Sequence, residues 1–308
     1  MILIISADND TMTDAVCVWL SRLEKQFVRL NENQIIEAVS FDFKNSFFTV
    51  KIDGLKYDLK NFQSVFYRNG SLVYGGFTGE IDEQLLSFFN SELHVITQFI
   101  YYFLNISEAR IYGNLTTKEV NKLEVLHIAQ TLNFKIPDTY IYSQLQNILK
   151  LDPSGKYITK SVAEMAHIFH EGELYMNYTK EINISEIYSR QDNIIPTLIQ
   201  ERIEKDYEIR VFFFGNKIWA IATFEFSEEI DIRNTSNSDK KYLPINLPSD
   251  LKKKIKQLAK KLKINCGTID LLKSKEDYYF LEVNPVGQFH TVSLYGNYQI
   301  EKYIADLL

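Results

Sequence analysis

The chain has 308 residues, of which 45% are hydrophobic and 24% charged, a composition typical of a globular protein with a large core. Its net charge of −6 and isoelectric point of ≈ 5.5 do not favour non-specific nucleic-acid binding. The two cysteines, Cys17 and Cys266, make neither a disulfide framework nor a metal set, and they fit a reducing cytoplasm. The N-terminus lacks the basic segment of a signal peptide, and no apolar run is long enough to span a membrane.

The N-terminal segment shows the pattern of an open α/β lobe. The apolar run Met1–Ser6 predicts a buried strand, and Thr11 or Thr13 is expected to cap a helix that ends near Leu23. Phe27–Leu30 predicts a second strand. This β-α-β opening does not contain Gly-x-Gly-x-x-Gly, so a dinucleotide site is not indicated.

An arginine follows the next strand of this lobe. Residues 41–59 alternate in polarity and predict a hairpin that turns at Asp53-Gly54. Gln63–Tyr67 then predicts a strand that ends at Arg68. Because ligands gather at the carboxyl edge of an open α/β sheet, Arg68 is a candidate for holding an anion, and an ordinary surface arginine is the alternative. A helix over 85–104 closes the lobe.

The stretch 267–287 predicts a hairpin with chemistry on one face. A turn centred near residue 276 places Asp270 opposite Glu282 in an antiparallel ladder. Asn284 lies two residues further on and therefore shares the face of Glu282. Two carboxylates and an amide oxygen are ligands that suit Mg²⁺. The alternative is an ordinary hairpin with an exposed acidic face.

The remaining segments predict a second, larger unit. Helices are expected over 114–132, 251–262 and 293–308, strands over 156–160 and 197–203, a long hairpin over 207–226, and either a hairpin or a helix over 162–179.

Several of these stretches together resemble the ATP-grasp superfamily. Asp270, the run Glu282-Val283-Asn284-Pro285 and the trailing Gly287-Gln288 resemble its magnesium signature. Lys122, Lys160 and the sequence 200–210 resemble its nucleotide-binding parts, and they occur in the same order. The resemblance implies ATP and Mg²⁺ as cofactors, with metal ligands Asp270, Glu282 and Asn284. It implies nucleotide contacts at Lys122, Lys160, Gln200, Glu201, Arg202, Ile203 and Glu208.

A closer resemblance is to the graspetide synthetases, which are microviridin-type peptide macrocyclases. It is carried by MILIIS, Arg29-Leu30-Asn31, Phe66-Tyr67-Arg68, Asp231-Ile232-Arg233 and residues 282–288. These enzymes join Asp or Glu side chains of a ribosomal precursor peptide to Ser or Thr hydroxyls or to Lys amines. The resemblance implies that Arg68, Arg233 and Arg210 act in catalysis, and that residues 161–185 engage the leader of the precursor. Asn69 and Ile232 depart from the family pattern, which leaves the details of substrate contact open.

We therefore expect an α/β protein with α+β lobes, an ATP-grasp fold preceded by an open α/β pre-ATP-grasp lobe. The expected domains are 1–113 and 114–308, the second divided into a lid lobe, 114–195, and a nucleotide and Mg²⁺ lobe, 196–308. The expected protein is cytoplasmic, can form a homodimer, and has no nucleic-acid or membrane partner. A ligase that adds glutamate or another amino acid to a protein terminus, and a non-catalytic ATP-binding scaffold, are the alternatives.

Overall fold

The computed structural model describes residues 1–31, 34–75, 82–115, 120–163, 167–170, 173–176, 179–187, 193–225 and 240–308. The N-terminal lobe consists of β1 (Ile2–Ile5), α1 (Thr11–Arg22), β2 (Phe27–Leu30), β3 (Ile36–Asp42), β4 (Phe47–Ile52), β5 (Leu55–Asp58), β6 (Ser64–Tyr67), α2 (Glu83–Ile106) and β7 (Arg110–Tyr112). Its parallel sheet has the order β2-β1-β6-β7. The open α/β lobe predicted from the sequence is therefore confirmed, and Arg68 lies at the carboxyl edge of its sheet.

A three-stranded antiparallel sheet, β3-β4-β5, lies beside the parallel one. Its second hairpin turns at Asp53 and Gly54, whose φ angles are 49° and 74°. Two successive positive φ values define the type I′ turn that Asp-Gly favours. The hairpin predicted at this dipeptide is confirmed.

The middle of the chain forms a small lobe. Its elements are α3 (Lys122–Thr131), β8 (Thr139–Gln144), α4 (Leu145–Ile148), β9 (Tyr157–Lys160), β10 (His167–His170), β11 (Glu173–Met176), β12 (Lys180–Ile182) and β13 (Asn193–Glu201). Four of the strands form a sheet of order β12-β9-β13-β8, and β10 pairs with β11 as a separate hairpin. Of the two alternatives for residues 162–179, the hairpin is the one that the structure shows.

The C-terminal lobe is built on a five-stranded antiparallel sheet. Its elements are β14 (Tyr207–Phe214), β15 (Lys217–Glu225), β16 (Lys240–Pro244), α5 (Ser249–Lys261), β17 (Cys266–Ser274), β18 (Asp277–Asn284), α6 (His290–Gly296) and α7 (Ile300–Leu307). The strand order is β16-β15-β14-β17-β18. The central strand, β14, pairs with β17 along the whole length of β14.

Alternate residues of β14 enter two different cores. Ile209 and Val211 pack in a core that includes residues of α3 and α5. Phe212 and Phe214 pack on the opposite face, with residues of β1, α1 and β6. The N-terminal lobe therefore covers one half of this face of the sheet. The other half, at the start of β14, carries the polar residues of the candidate site.

Two predicted helices differ from those observed. The helix expected from residue 114 begins at Lys122, because Asn121 caps it by accepting hydrogen bonds from the amides of Leu123 and Glu124. The single helix expected over 293–308 is two helices, since Asn297 and Gln299 adopt left-handed φ angles of 52° and 51°. The predicted domain boundary at residue 113 follows β7 directly and stays a prediction. Among the described residues, no helix is long and apolar enough to cross a membrane.

Candidate active site

The hairpin of β17 and β18 brings the predicted metal ligands together. Asp270 pairs with Glu282, as the sequence predicted, and Thr268 pairs with Asn284. The turn itself is tighter than predicted, because Ser274 pairs directly with Asp277. The ladder shifts register between Asp270 and its neighbour Leu271, where β18 contains one extra residue. Without this bulge, Leu281 would stand opposite Asp270.

Asp270 is held by an arginine on the neighbouring strand. Arg210 lies opposite it in the β14–β17 ladder and donates from Nε to Oδ1 at 2.9 Å and from Nη2 to Oδ2 at 3.0 Å. The Coulomb attraction of Asp270 raises the pKa of Arg210 above its ordinary value. This two-point contact fixes the plane of the carboxylate and leaves its remaining lone pairs for a cation.

Glu282 has a lysine beside it. Lys122, at the start of α3, places Nζ 3.9 Å from Glu282 Oε2 and donates to the carbonyl oxygen of Ala163 at 3.1 Å. Both side chains are partly exposed, at 30% for Lys122 and 39% for Glu282. The two carboxylates therefore have two cationic side chains, Arg210 and Lys122, at their borders. That arrangement suits the phosphate groups of a nucleotide.

Asn284 ends β18 in a turn made by its own side chain. Its Oδ1 accepts from the backbone N–H of Val286 at 2.9 Å, and its backbone oxygen accepts from Gly287 N at 3.0 Å. Glycine is required at 287, where a Cβ would lie 2.0 Å from Thr268 Oγ1. We call residues 284–287 the metal turn.

The donor set fits Mg²⁺ by its chemistry. Two facing carboxylates and one amide oxygen supply hard oxygen ligands without imidazole or thiolate. Within the described residues, no group of three or more His, Cys, Asp or Glu side chains could hold a metal ion, and the predicted set differs in taking its third oxygen from an amide. Neither cysteine offers a thiolate, since burial raises the pKa of Cys17 and of Cys266 to about 11.

The small lobe presents a second set of predicted residues on one face of its sheet. Ile199 pairs with Thr159, and Ile199 and Tyr157 pack in the small core of this lobe. Side chains alternate between the two faces along a strand, and Lys160 and Gln200 each follow a residue of this pair by one position. Lys160 and Gln200 therefore lie together on the face of the sheet that points away from the small core.

The amide of Gln200 has a fixed orientation. The side chain is only 1% exposed, and Nε2 donates to Thr139 Oγ1 at 2.8 Å. The Thr139 hydroxyl in turn donates to the carbonyl of Pro137 at 2.8 Å. A carbonyl can only accept, so the hydroxyl must accept from Gln200, and the Oε1 of Gln200 must point the other way. No spacing pattern indicated this role for Thr139.

The predicted hinge follows β13. The backbone N–H groups of Glu201 and Arg202 donate to Asp138 O and Lys156 O, both at 2.8 Å. In the part of the chain that the structure describes, the N–H of Ile203 has no backbone partner. The side chain of Arg202 pairs with Glu181 at 2.7 Å. Of these three described N–H groups, that of Ile203 is therefore the one left for a ligand.

Glu208, the predicted ribose ligand, lies two residues before Arg210 and on the same face of β14. Lys205 Nζ donates to Glu208 Oε1 at 2.5 Å, and both side chains are 25% exposed. No spacing pattern indicated a role for Lys205. Its ammonium orients the Glu208 carboxylate through a charge-assisted hydrogen bond.

Arg68 is buried and therefore does not form an open site for an anion. Its side chain is 4% exposed, and Nη1 donates to the backbone oxygen of Val286 in the metal turn. Nε lies 3.4 Å from Asp10 Oδ2, Nη2 contacts Met12 Sδ at 3.5 Å, and the guanidinium lies 5.6 Å from the Phe289 ring. The structure thus brings Arg68 to the candidate metal site, through the backbone of the turn. Arg233 lies outside the described residues.

These features occur in a chain that matches known proteins in fold. Residues 174–308 match the RimK-like ATP-grasp domain, and the protein has the ATP-grasp fold, as the sequence predicted. No curated protein sequence matches the chain.

Three solved structures of similar proteins cover nearly the whole chain. A RiPP-associated ATP-grasp ligase from Chryseobacterium gregarium, in complex with ADP and a leader and core peptide, has a TM-score of 0.78 and 23% identity over 100% of this chain and 96% of its own. The macrocyclase MdnC from Microcystis aeruginosa, bound with the precursor peptide MdnA, has a TM-score of 0.76 and 22% identity over 100% and 98%. The ATP-grasp ligase PsnB, complexed with minimal precursor, Mg and ADP, has a TM-score of 0.74 and 14% identity over 99% and 96%.

Proposed function

We propose that the protein is an ATP- and Mg²⁺-dependent ligase that closes macrocycles in a ribosomally made precursor peptide. It activates Asp or Glu side chains of the peptide and joins them to Thr or Ser hydroxyls, or to Lys amines. The observation that carries the proposal is the register that sets Asp270 opposite Glu282, with Arg210 and Lys122 in contact with them. Support comes from the ATP-grasp fold, shared with ligases whose structures hold precursor peptides, ADP and Mg.

The proposed reaction has two steps. The γ-phosphoryl group of ATP is transferred to the side-chain carboxylate of the peptide, which gives an acyl-phosphate and ADP. The hydroxyl or amine of the second side chain then attacks the acyl carbon, loses its proton, and displaces inorganic phosphate. Mg²⁺ bound at Asp270, Glu282 and Asn284 would neutralise the charge of the phosphates.

The residues of the chain contribute positioning and charge rather than a nucleophile. Arg210 and Lys122 stabilise the negative charge that develops on the transferred group. In the small lobe, Lys160 contacts the nucleotide, and residues 200–203 bind its base. Glu208 accepts from the ribose hydroxyls. We assign Arg233, from the family resemblance, to the substrate carboxylate and its acyl-phosphate.

The leader of the precursor is proposed to bind at residues 161–185. The hairpin of β10 and β11 lies within this stretch and forms a two-stranded sheet of its own. A hairpin that is separate from the main sheets can dock an extended or helical peptide. A precursor without its leader is therefore expected to bind more weakly than the full-length peptide, as measured by calorimetry.

We also propose that the protein acts in the cytoplasm as a homodimer. Helix α2 supports the dimer, because Val95, Tyr102 and Ile106 are 66%, 56% and 60% exposed. Large apolar side chains exposed together on one helix are common at protein interfaces. Sedimentation equilibrium measures the assembly, and a monomer at micromolar concentration would contradict the dimer.

The function is tested by mass spectrometry on the peptide encoded beside the gene. With ATP and Mg²⁺, each crosslink removes one water, a loss of about 18 Da, as expected for intramolecular condensation. A mass gain would instead indicate an amino-acid-adding ligase. An unchanged mass with full-length leader present, together with ATP binding, would favour a non-catalytic scaffold. Omission of ATP is the matched control.

A further inference from the structure

The carboxyl edge of the N-terminal sheet contains a buried pair of opposite charges. Arg68 and Asp10 have side chains only 4% and 8% exposed, and Nε lies 3.4 Å from Oδ2. Nε makes no hydrogen bond although it is buried. Removing two charges from water costs free energy, and a buried pair with imperfect geometry does not recover that cost. Mutual attraction alone therefore does not explain why Asp10 and Arg68 are buried together.

One hydrogen bond of Arg68 crosses to the other lobe. Nη1 donates to the carbonyl oxygen of Val286, a residue that is 218 positions away in the chain. The N–H of the same residue donates to Asn284 Oδ1 at 2.9 Å. Both hydrogen-bonding groups of Val286 are therefore used, one by the N-terminal lobe and one by the predicted metal ligand. Movement of Arg68 would displace the amide oxygen of Asn284.

Asp10 is itself fixed by the start of α1. Its Oδ1 accepts from Met12 N at 3.2 Å, and its Oδ2 accepts from Thr13 Oγ1 at 2.9 Å. As the N-cap of the helix, Asp10 has little freedom to move. Successive contacts thus join the N-terminal lobe to the metal turn, from α1 through Asp10, Arg68 and Val286 to Asn284.

We propose that Asp10 and Arg68 are positioning residues, which hold the metal turn so that the oxygen of Asn284 can bind Mg²⁺. The proposal rests on the proposed function only in taking Asp270, Glu282 and Asn284 as the Mg²⁺ ligands. Residues that orient metal ligands from outside typically change metal affinity by about 10–100-fold when replaced. Arg68 acts through the backbone of the turn and does not need to contact the substrate.

The test measures how ADP binding depends on Mg²⁺, which requires no peptide and no turnover. Asp10→Asn keeps the helix cap and the side-chain volume but removes the charge. Arg68→Lys keeps the charge but loses the fork that reaches both Asp10 and Val286. For both variants we expect the Mg²⁺ concentration at half-maximal ADP binding to rise about tenfold, with ADP affinity in EDTA unchanged.

The matched control is Asp14→Asn. It breaks the ion pair between Arg29 and Asp14 at the same sheet edge, which makes no contact with the metal turn. Its Mg²⁺ dependence is expected to equal that of the unaltered protein. An equal dependence in Asp10→Asn and Arg68→Lys would overturn the proposal. Absence of any Mg²⁺-dependent ADP binding in the unaltered protein would instead overturn the proposed function.

Hydrogen exchange at the Val286 amide tests the proposal in the unaltered protein, so this test does not depend on whether the variants fold. In the unaltered protein, the amide of Val286 is expected to exchange at least about tenfold more slowly than an unstructured amide, because both ends of the residue are bonded. Exchange at the unstructured rate would show that the turn is not held, and would overturn the proposal.

Discussion

The two halves of the candidate cleft hold their functional groups by different means. In the C-terminal sheet, charged groups are paired across neighbouring strands, with Arg210 bidentate to Asp270 and Lys122 beside Glu282. In the small lobe, the most buried polar group is neutral, and Gln200 is oriented through Thr139. In the C-terminal sheet, the strand register therefore determines where the charged groups lie. In the small lobe, the direction of a hydrogen bond determines which end of the Gln200 amide is the donor and which is the acceptor.

The difference follows from the task proposed for each half. Phosphate groups carry several charges, and paired carboxylates and cations give the field that binds and activates them. A nucleotide base is neutral, and it is selected by donors and acceptors of defined direction. Variants of the C-terminal sheet should therefore change the rate, and variants of the small lobe should change which nucleotide is bound.

The largest effect is expected for Glu282→Gln, which removes one of the two facing carboxylates without a change in size. Metal-assisted charge stabilisation contributes several kcal/mol, so the rate of ADP release with peptide should fall by about a thousandfold. The control is Glu276→Gln, an exposed residue in the turn of the same hairpin. Activity retained in Glu282→Gln would contradict the assignment of the metal pair.

A smaller loss is expected for Arg210→Lys. The lysine keeps the positive charge but cannot make two parallel hydrogen bonds to Asp270, so the carboxylate plane is no longer fixed. We expect turnover to fall by about 10–100-fold and the free energy of unfolding by about 1 kcal/mol, the net value of a partly exposed charged hydrogen bond.

Its control breaks a different ion pair, which is made by the other strand of the β17–β18 hairpin. Lys135→Gln removes the contact with Asp277, where both side chains are 50% exposed. Surface pairs of this kind contribute about 0–1 kcal/mol, and turnover should not change. Equal turnover in Arg210→Lys and Lys135→Gln would show that the geometry of the Arg210 contact is unimportant.

The sequence predicted the half that depends on local periodicity. Period-two alternation and one short turn were enough to place Asp270, Glu282 and Asn284 on one face, although the position of the bulge at Leu281 was not predicted. The family resemblance implied that Arg210 acts in catalysis, but the pairing of β14 with β17 that brings Arg210 beside Asp270 was not predicted.

The contacts that the sequence did not predict join distant parts of the chain. Arg68 and Val286 are 218 residues apart, and Thr139 and Gln200 are 61 apart. No pattern of spacing indicates which side chain will meet which backbone oxygen after two lobes pack together. Asp10 was overlooked for another reason, since Thr11 and Thr13 beside it are equally ordinary helix caps.

The most selective prediction concerns Thr139→Val, which removes the hydroxyl that orients Gln200. In the unaltered protein Oε1 is the acceptor that faces away from Thr139. With the base bound at residues 200–203 as proposed, Oε1 would accept from the amino group of adenine and would oppose the oxygen of guanine. Valine has no acceptor, so the amide is free to turn its nitrogen toward the base. The ratio of ADP to GDP affinity should fall by about tenfold, the effect of one hydrogen bond.

Two further variants make this last prediction decisive. Thr139→Ser retains the hydroxyl and should retain the preference for ADP. Thr197→Val removes a hydroxyl from β13 that donates to the carbonyl of Ile195 and does not contact Gln200, and it should leave the preference unchanged. Calorimetric titration with ADP and GDP measures all three. If Thr139→Val kept the ADP preference of the unaltered protein, base selection would lie in the hinge backbone at Ile203 instead.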